Sequence, residues 1–186
     1  MDKKTLRSAM RLRRRQAAGH PGYADKSATI CQSVIDALAD KPEALVAGYM
    51  AQHGEPDLAA FQGSWPAAQY LLPRVTDEAE AEMDFASIAG GLESGPFDVS
   101  QPLSTAASAI PNIILVPLLA FDAQGGRLGQ GGGYYDRALA KARSHGPILA
   151  IGVAFAFQKV DAVPTEPHDA ALDAVVTEHG LVYLPN

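Results

Sequence analysis

The stretch from Gly125 to Gly133 holds six glycines in nine residues, between an apolar run at 113–121 and a helical pattern that starts at Tyr134. Glycine tolerates positive φ and lets a ligand approach the backbone closely. A buried strand, a glycine loop and a helix in succession aim backbone N–H groups and the positive end of a helix dipole at one point, which suits a phosphate. In an open α/β sheet such a loop also leaves the carboxyl end of a strand, where ligands bind. The loop lacks the Lys-Ser/Thr pair of a P-loop, and its Gly129, Gly131, Gly133 spacing differs from a dinucleotide fingerprint. Arg127 adds a planar cation suited to phosphate oxygens. Asp136, in the first turn of the helix, suits either Mg²⁺ beside a phosphate or the ordinary role of a helix-start acid.

The rest of the chain alternates helical and strand patterns. Helices are expected over 3–18, 23–38, 57–61 (with Asp57 as N-cap) and 134–143. Strands are expected at 45–50, at 69–72 ended by Pro73, and at 113–116, 148–154, 174–177 and 181–184. A weak strand is expected near 83–85 within 76–111, the least legible stretch. Strands alternating with helices and apolar on both faces predict one domain over 1–186. Its architecture is three-layer α/β/α, Rossmann-like, around a mainly parallel sheet.

Composition narrows the function. Charged residues make up 19% and apolar residues 47%, which excludes a disordered chain. The single cysteine, Cys31, excludes a disulfide framework and points to a reducing, cytoplasmic setting. The apolar runs at 113–121 and 148–157 fall short of the roughly 18 residues a spanning helix needs, so no membrane association is expected. The Arg-rich N-terminus runs into a second helix without a small-residue cleavage site, which sets a transit peptide aside. Residues 1–15 carry a net +6 and the remainder −12. A local anion site on an acidic body fits this better than a nucleic-acid surface. Read alone, the basic residues of 1–15 form a solvated helix face. No histidine pair has metal spacing.

Several motifs together resemble the 5-formyltetrahydrofolate cyclo-ligase family. They are Val116-Pro117 with Phe121-Asp122, Gly126-Arg127-Leu128-Gly129, and Gly131-Gly132-Gly133-Tyr134-Tyr135-Asp136. Lys3 and Arg7 match its Lys-x-x-x-Arg, and the Gly54-Glu55 turn, Ile151-Gly152-Val153-Ala154, Gln158, Val163-Pro164 and His168-Asp169 follow its order. The resemblance implies a fold similar to the NagB/RpiA/CoA-transferase-like group. It also implies ATP- and Mg²⁺-dependent closure of 5-formyltetrahydrofolate to 5,10-methenyltetrahydrofolate. By the same resemblance, Lys3, Arg7, Glu55 and Arg127 are catalytic. ATP is held by Lys3, Lys4, Thr5, Leu6 and Arg7 and by Arg127, Leu128, Gly129, Gln130, Gly131, Gly132, Gly133, Tyr134 and Tyr135. Folate is contacted by Met50, Glu55, Gln130 and Tyr134, and the metal by Asp136 and Asp169. Glu166 and Asp173 read as surface acids.

Gln130 departs from the family pattern, in which bacterial members often carry an aromatic at this position. It offers hydrogen bonds but neither charge nor a stacking face. The expected partners are small molecules, with neither nucleic acid nor membrane, and the expected state is a monomer. The alternative is a non-catalytic paralogue that binds nucleotide or folate without turnover.

Overall fold

The computed structural model describes residues 2–185. In chain order the elements begin with α1 (Lys3–Ala18), α2 (Tyr23–Leu38), β1 (Val46–Ala47), α3 (Ala59–Ser64), β2 (Tyr70–Asp77) and β3 (Glu82–Ser87). They continue with β4 (Leu92–Ser94), β5 (Ser100–Pro102), β6 (Ile113–Pro117), β7 (Ala120–Phe121) and β8 (Arg127–Leu128). The chain ends with α4 (Tyr134–His145), β9 (Leu149–Val153), β10 (Ala174–Thr177) and β11 (Gly180–Tyr183). The main sheet has seven strands in the order β11-β10-β9-β6-β1-β2-β3. Its five inner strands are parallel, and an antiparallel strand closes each edge.

Period-two alternation divides the apolar side chains between two layers. Ile113 and Leu115 face Ile30, Val34 and Leu38 of α2 and Phe61 of α3. Ile114 and Val116 face Ala138, Leu139 and Ala142 of α4. This is the expected three-layer α/β/α arrangement. A third cluster joins Leu6 and Met10 of α1 to Leu119, Ala120 and Leu128, which lays α1 over the β7–β8 hairpin. From β6 the chain winds toward β9, and from β1 toward β2, so the order reverses between β1 and β6. The carboxyl ends of those two strands are therefore where a ligand cleft should open.

Four local expectations need correction. Pro73 does not end its strand: β2 continues to Asp77, with Pro73 opposite Phe85. β1 pairs with β2 only at Tyr70 and Leu71, so that flank has no further ladder for Pro73 to disrupt. The first strand is Val46–Ala47 rather than 45–50, because the chain turns into the cleft, where the Tyr49 hydroxyl donates to Pro56 O at 2.7 Å. Asp57 is not the N-cap: its Oδ1 accepts from Ala59 N (2.9 Å) in a turn, and α3 starts at Ala59 with Leu58 in the cap position. The glycine-rich segment does not run directly from strand to helix. Phe121–Gly126 turns the β7–β8 hairpin, tied by Asp122 Oδ1 to Gln124 N and Gly126 N at 3.0 and 2.9 Å. Only Gly129–Gly133 leads into α4.

Residues 76–111 contain the rest of β2, then β3 and a small β4–β5 hairpin. Its tip, Phe97-Asp98, has two consecutive positive φ values, 62° and 58°.

Candidate functional site

A cleft of about 910 Å³ opens at the carboxyl ends of β1 and β6. That volume is near the top of the range of about 300–1,000 Å³ for small-molecule sites. One wall is Gly129–Gly133 with the first turn of α4. Gly133 occupies the N-cap position of α4 at φ 75° and supplies no side-chain cap, so the first N–H groups of α4 face the cleft wall uncapped. Gly131, at φ 108°, lies against the Arg7 guanidinium; a Cβ there would be strained by its own backbone.

Helix α1 supplies the cations on this wall. Asp2 caps it by accepting from Thr5 N at 2.8 Å. Residues four apart share a helix face, so Lys3, Arg7 and Arg11 follow one another along the loop. Arg7 donates from Nε to Gly129 O at 3.1 Å. Lys3 Nζ lies 2.6 Å from Asp169 Oδ2 and 2.8 Å from Glu166 Oε2. Burial disfavours the Lys3 charge, but those two carboxylates outweigh it and raise its pKa. Burial likewise opposes ionisation of Asp169, yet the Lys3 and Glu166 N–H bonds hold its pKa below the usual value. Lowered carboxylate pKa values mean this tether is present above the ordinary range near 3.8 and is lost as pH falls below it. Lys4 and Thr5 are exposed, and Leu6 is buried in the α1 cluster; none of the three lines the cleft.

Arg127 and Asp136 form the floor. Arg127 Nη2 donates to Asp136 Oδ1 at 2.6 Å, and its side chain is 4% exposed. Burial lowers the Arg127 pKa, and Asp136 counters that. Arg127 Nη1 is buried with no hydrogen-bond partner among the described residues. Asp136 Oδ1 also accepts from Ala170 N at 3.1 Å, which brings the two predicted metal acids, Asp136 and Asp169, to neighbouring positions. Protein donors engage Oδ1 of Asp136 and Oδ2 of Asp169. No protein donor among the described residues engages the other oxygen of either carboxylate. Hard carboxylate oxygens at a phosphate wall fit Mg²⁺. Glu166, read as a surface acid, belongs to this group: Glu166, His168 and Asp169 have ligand atoms within 4.8 Å of one another.

Glu55 stands on the opposite side, with Met50, Tyr134 and Tyr135 also lining the cleft. The turn before it bends through His53 and Gly54 at φ 49° and 75°. Arg14 holds this turn by donating to His53 O at 3.0 Å, and the Tyr23 hydroxyl holds Gly54 O. Arg14 Nη1 lies 3.5 Å from Glu55 Oε1, and the two side chains are only 2% and 8% exposed. Burial raises the Glu55 pKa, and Arg14 offsets part of that rise.

Sequence reading missed Arg14, since an arginine on a basic helix looks solvated. The available signal was its spacing: Leu6, Met10 and Arg14 recur every four residues, and all three are buried. It also missed Phe97, which lines the cleft, is 60% exposed and meets Tyr134 edge-on at 6.0 Å. An exposed aromatic held at positive φ suits a flat ring in the cleft.

The fold and cleft thus define an α/β protein whose cleft sets a glycine-and-cation wall, of the kind that suits phosphate, beside a partly apolar one. A model of the 5-formyltetrahydrofolate cyclo-ligase family matches residues 1–178, and the chain belongs to that family. Among similar proteins, a 5-formyltetrahydrofolate cyclo-ligase of Mycolicibacterium smegmatis is 43% identical over 74 residues, 39% of this chain and 37% of that protein. The Haemophilus influenzae protein of the same name is 34% identical over 85 residues, 44% of this chain and 45% of its own. The matched segments span less than half the length of these relatives. The solved 5,10-methenyltetrahydrofolate synthetase of Aquifex aeolicus superposes with a TM-score of 0.78 at 28% identity, covering 100% of this chain and 94% of that one. The Mycoplasma pneumoniae synthetase shares the fold, with a TM-score of 0.75 at 24% identity over 96% of this chain and 99% of that one. Among the described residues no helix is long and apolar enough to cross a membrane.

Proposed function

We propose that this chain converts 5-formyltetrahydrofolate to 5,10-methenyltetrahydrofolate, using ATP and Mg²⁺ and releasing ADP and phosphate. The observation that carries the reading is the single cleft with a glycine-and-cation wall on one side and buried Glu55 on the other. A formamide oxygen is a poor leaving group. Its attack on the γ-phosphorus of ATP breaks the bond to the ADP oxygen and leaves the formyl carbon, still bonded to N5, as an iminium phosphate. N10 of the folate then attacks the activated carbon, the ring closes, and the formyl oxygen departs as part of inorganic phosphate. Phosphoryl transfer of this kind requires positioning and charge neutralisation more than a protein nucleophile.

In this reading Lys3, Arg7 and Arg127 neutralise nucleotide phosphates, and Gly129–Gly133 supplies backbone donors. Asp136 and Asp169 would hold Mg²⁺, which supplies further neutralisation of phosphate charge when bound. Glu55 holds the polar edge of the folate ring, while Met50, Tyr134 and Phe97 cover its faces. The domain 1–186 acts as a monomer in the cytoplasm; the lone buried Cys31 and the scattered exposed apolar side chains support that placement.

The test is growth of the methenyl product's near-ultraviolet absorbance, with ATP and Mg²⁺ each omitted as controls. Product that needs both supports the reading, and ATP binding without product supports the non-catalytic paralogue. Two variants separate the walls of the cleft. Arg7→Ala should raise KM for ATP about 10-fold and leave KM for folate near its original value, as expected for loss of one charge-assisted bond. Phe97→Ala should do the reverse, raising KM for folate about 5–10-fold through lost aromatic contact. Steady-state kinetics with each substrate varied in turn checks both.

A further inference from the structure

Asp122 is buried, and both its oxygens accept from main-chain N–H groups. Oδ1 accepts from Gln124 and Gly126 inside the β7–β8 turn. Oδ2 reaches out of the hairpin and accepts from Val163 N at 2.8 Å. On the same turn, Gly125 O accepts from Leu172 N at 3.0 Å. One turn therefore holds both ends of the segment 163–172. Glu166, His168 and Asp169 lie on that segment and line the cleft.

The packing at the turn leaves no room for another atom. A Cβ on Gly126 would come within 2.6 Å of Asp122 Oδ2, and one on Gly125 within 2.9 Å of Leu172 O. Gly125 has a φ of 88°, whereas Gly126 is not in the left-handed region, so the glycine at 126 answers to the carboxylate alone. The segment is tied at a third point. Ala170 N donates to Asp136 Oδ1 at 3.1 Å, and the same oxygen accepts from Arg127 Nη2 at 2.6 Å. Arg127 belongs to β8, the strand that follows the Asp122 turn. The bonds close a ring: from Asp122 along the hairpin to Arg127, across Asp136 to Ala170, and back through Val163 to Asp122.

We propose that Asp122 is a positioning residue: its carboxylate sets the 163–172 segment, with Asp169 and the Ala170 N–H, against Arg127 and Asp136. Asp122 does not itself line the cleft, so it acts through the main chain of the turn and of the segment. Naming nucleotide phosphates and Mg²⁺ as what these groups act on rests on the proposed function; the ring itself does not.

The experiment is amide hydrogen exchange in the ligand-free full chain, followed by ¹⁵N NMR. Asparagine has the shape of aspartate but one acceptor oxygen instead of two. With that oxygen in the turn, its –NH₂ faces the Val163 N–H, so Asp122→Asn breaks the outward bond. Gly126→Ala keeps the carboxylate and displaces Oδ2 by contact. In both variants the Ala170 amide, which neither substitution touches, should exchange about 10-fold faster while the amides of β6 keep the parent rates. Asp161→Asn, which removes an exposed carboxylate two residues before Val163, should resemble the parent. Faster exchange at Val163 with an unchanged Ala170 overturns the proposal. So does equal acceleration throughout β6, the mark of general destabilisation. In kinetics, Asp122→Asn should lower kcat about 10–100-fold, the cost of a small misplacement near the chemistry, and leave KM for folate unchanged. A kcat within about two-fold of the parent value overturns the proposal as well. The expected exchange pattern in a protein with no cyclo-ligase turnover would uphold the ring and overturn the proposed function.

Discussion

Replacing Arg127 by glutamine is expected to lower kcat by about 10²–10³-fold, the usual cost of removing one preorganised donor to developing charge. The side chain is 4% exposed and is aligned by Asp136 at 2.6 Å. That pairing uses Nη2, and Nη1 is buried without a hydrogen-bond partner among the described residues, in a side chain that lines the floor of the cleft. A preorganised, desolvated donor of this kind needs no reorganisation when charge appears. Arg127→Lys keeps a charge but loses the planar fork, so it should recover only part of the rate. Single-turnover measurements at saturating ATP and folate separate this effect from binding. A kcat within a few-fold of the parent value in Arg127→Gln would remove Arg127 from the chemistry and leave it a partner of Asp136.

The second large effect concerns stability. Arg14→Met should destabilise the protein by about 3 kcal/mol or more, because breaking a buried ion pair strands the remaining charge. Three contacts are lost together: the hydrogen bonds to His53 O at 3.0 Å and to Leu118 O at 3.3 Å, and the ion pair with Glu55 Oε1 at 3.5 Å. For a chain of this size the loss corresponds to a fall in Tm of roughly 6–12 °C. Combining Arg14→Met with Glu55→Gln removes the stranded charge and should restore part of that fall. Calorimetry on the single and double variants tests this. A Tm within about 2 °C of the parent in Arg14→Met would mean that the turn and Glu55 are held without it.

The same residues mark where sequence reading succeeds and where it fails. The strand at 113–116 was legible because both its faces are apolar, and α4 because the glycines stop where its helical pattern starts. The candidate residues Lys3, Arg7, Glu55 and Asp136 were legible as parts of motifs, and the structure brings all four to one cleft. Arg14 was not, because helical periodicity assigns an arginine to the solvent side, whereas its acceptors come from the His53 turn and the end of β6, far away in sequence. Phe97 lies in the one stretch without a usable period, and its position follows from backbone geometry at the hairpin tip. Pro73 misled for a related reason: a proline ends a strand only where its missing donor would be needed, and that depends on which neighbours a strand has. The solvated reading of the basic helix held for Lys4, Arg13 and Arg15 and for Arg11, which is exposed although it reaches the glycine loop, but not for Arg7 or Arg14, whose partners lie on loops that the topology brings beneath α1.

In the proposed reaction the formyl oxygen of the substrate, once phosphorylated, leaves as part of phosphate. The direct measurement is one turnover with 5-formyltetrahydrofolate carrying ¹⁸O in its formyl group, followed by mass analysis of the released inorganic phosphate. The expected result is one ¹⁸O atom in each phosphate formed, matched one to one by methenyl product and by ADP. Methenyl product accompanied by unlabelled phosphate, with the label in water, would contradict it.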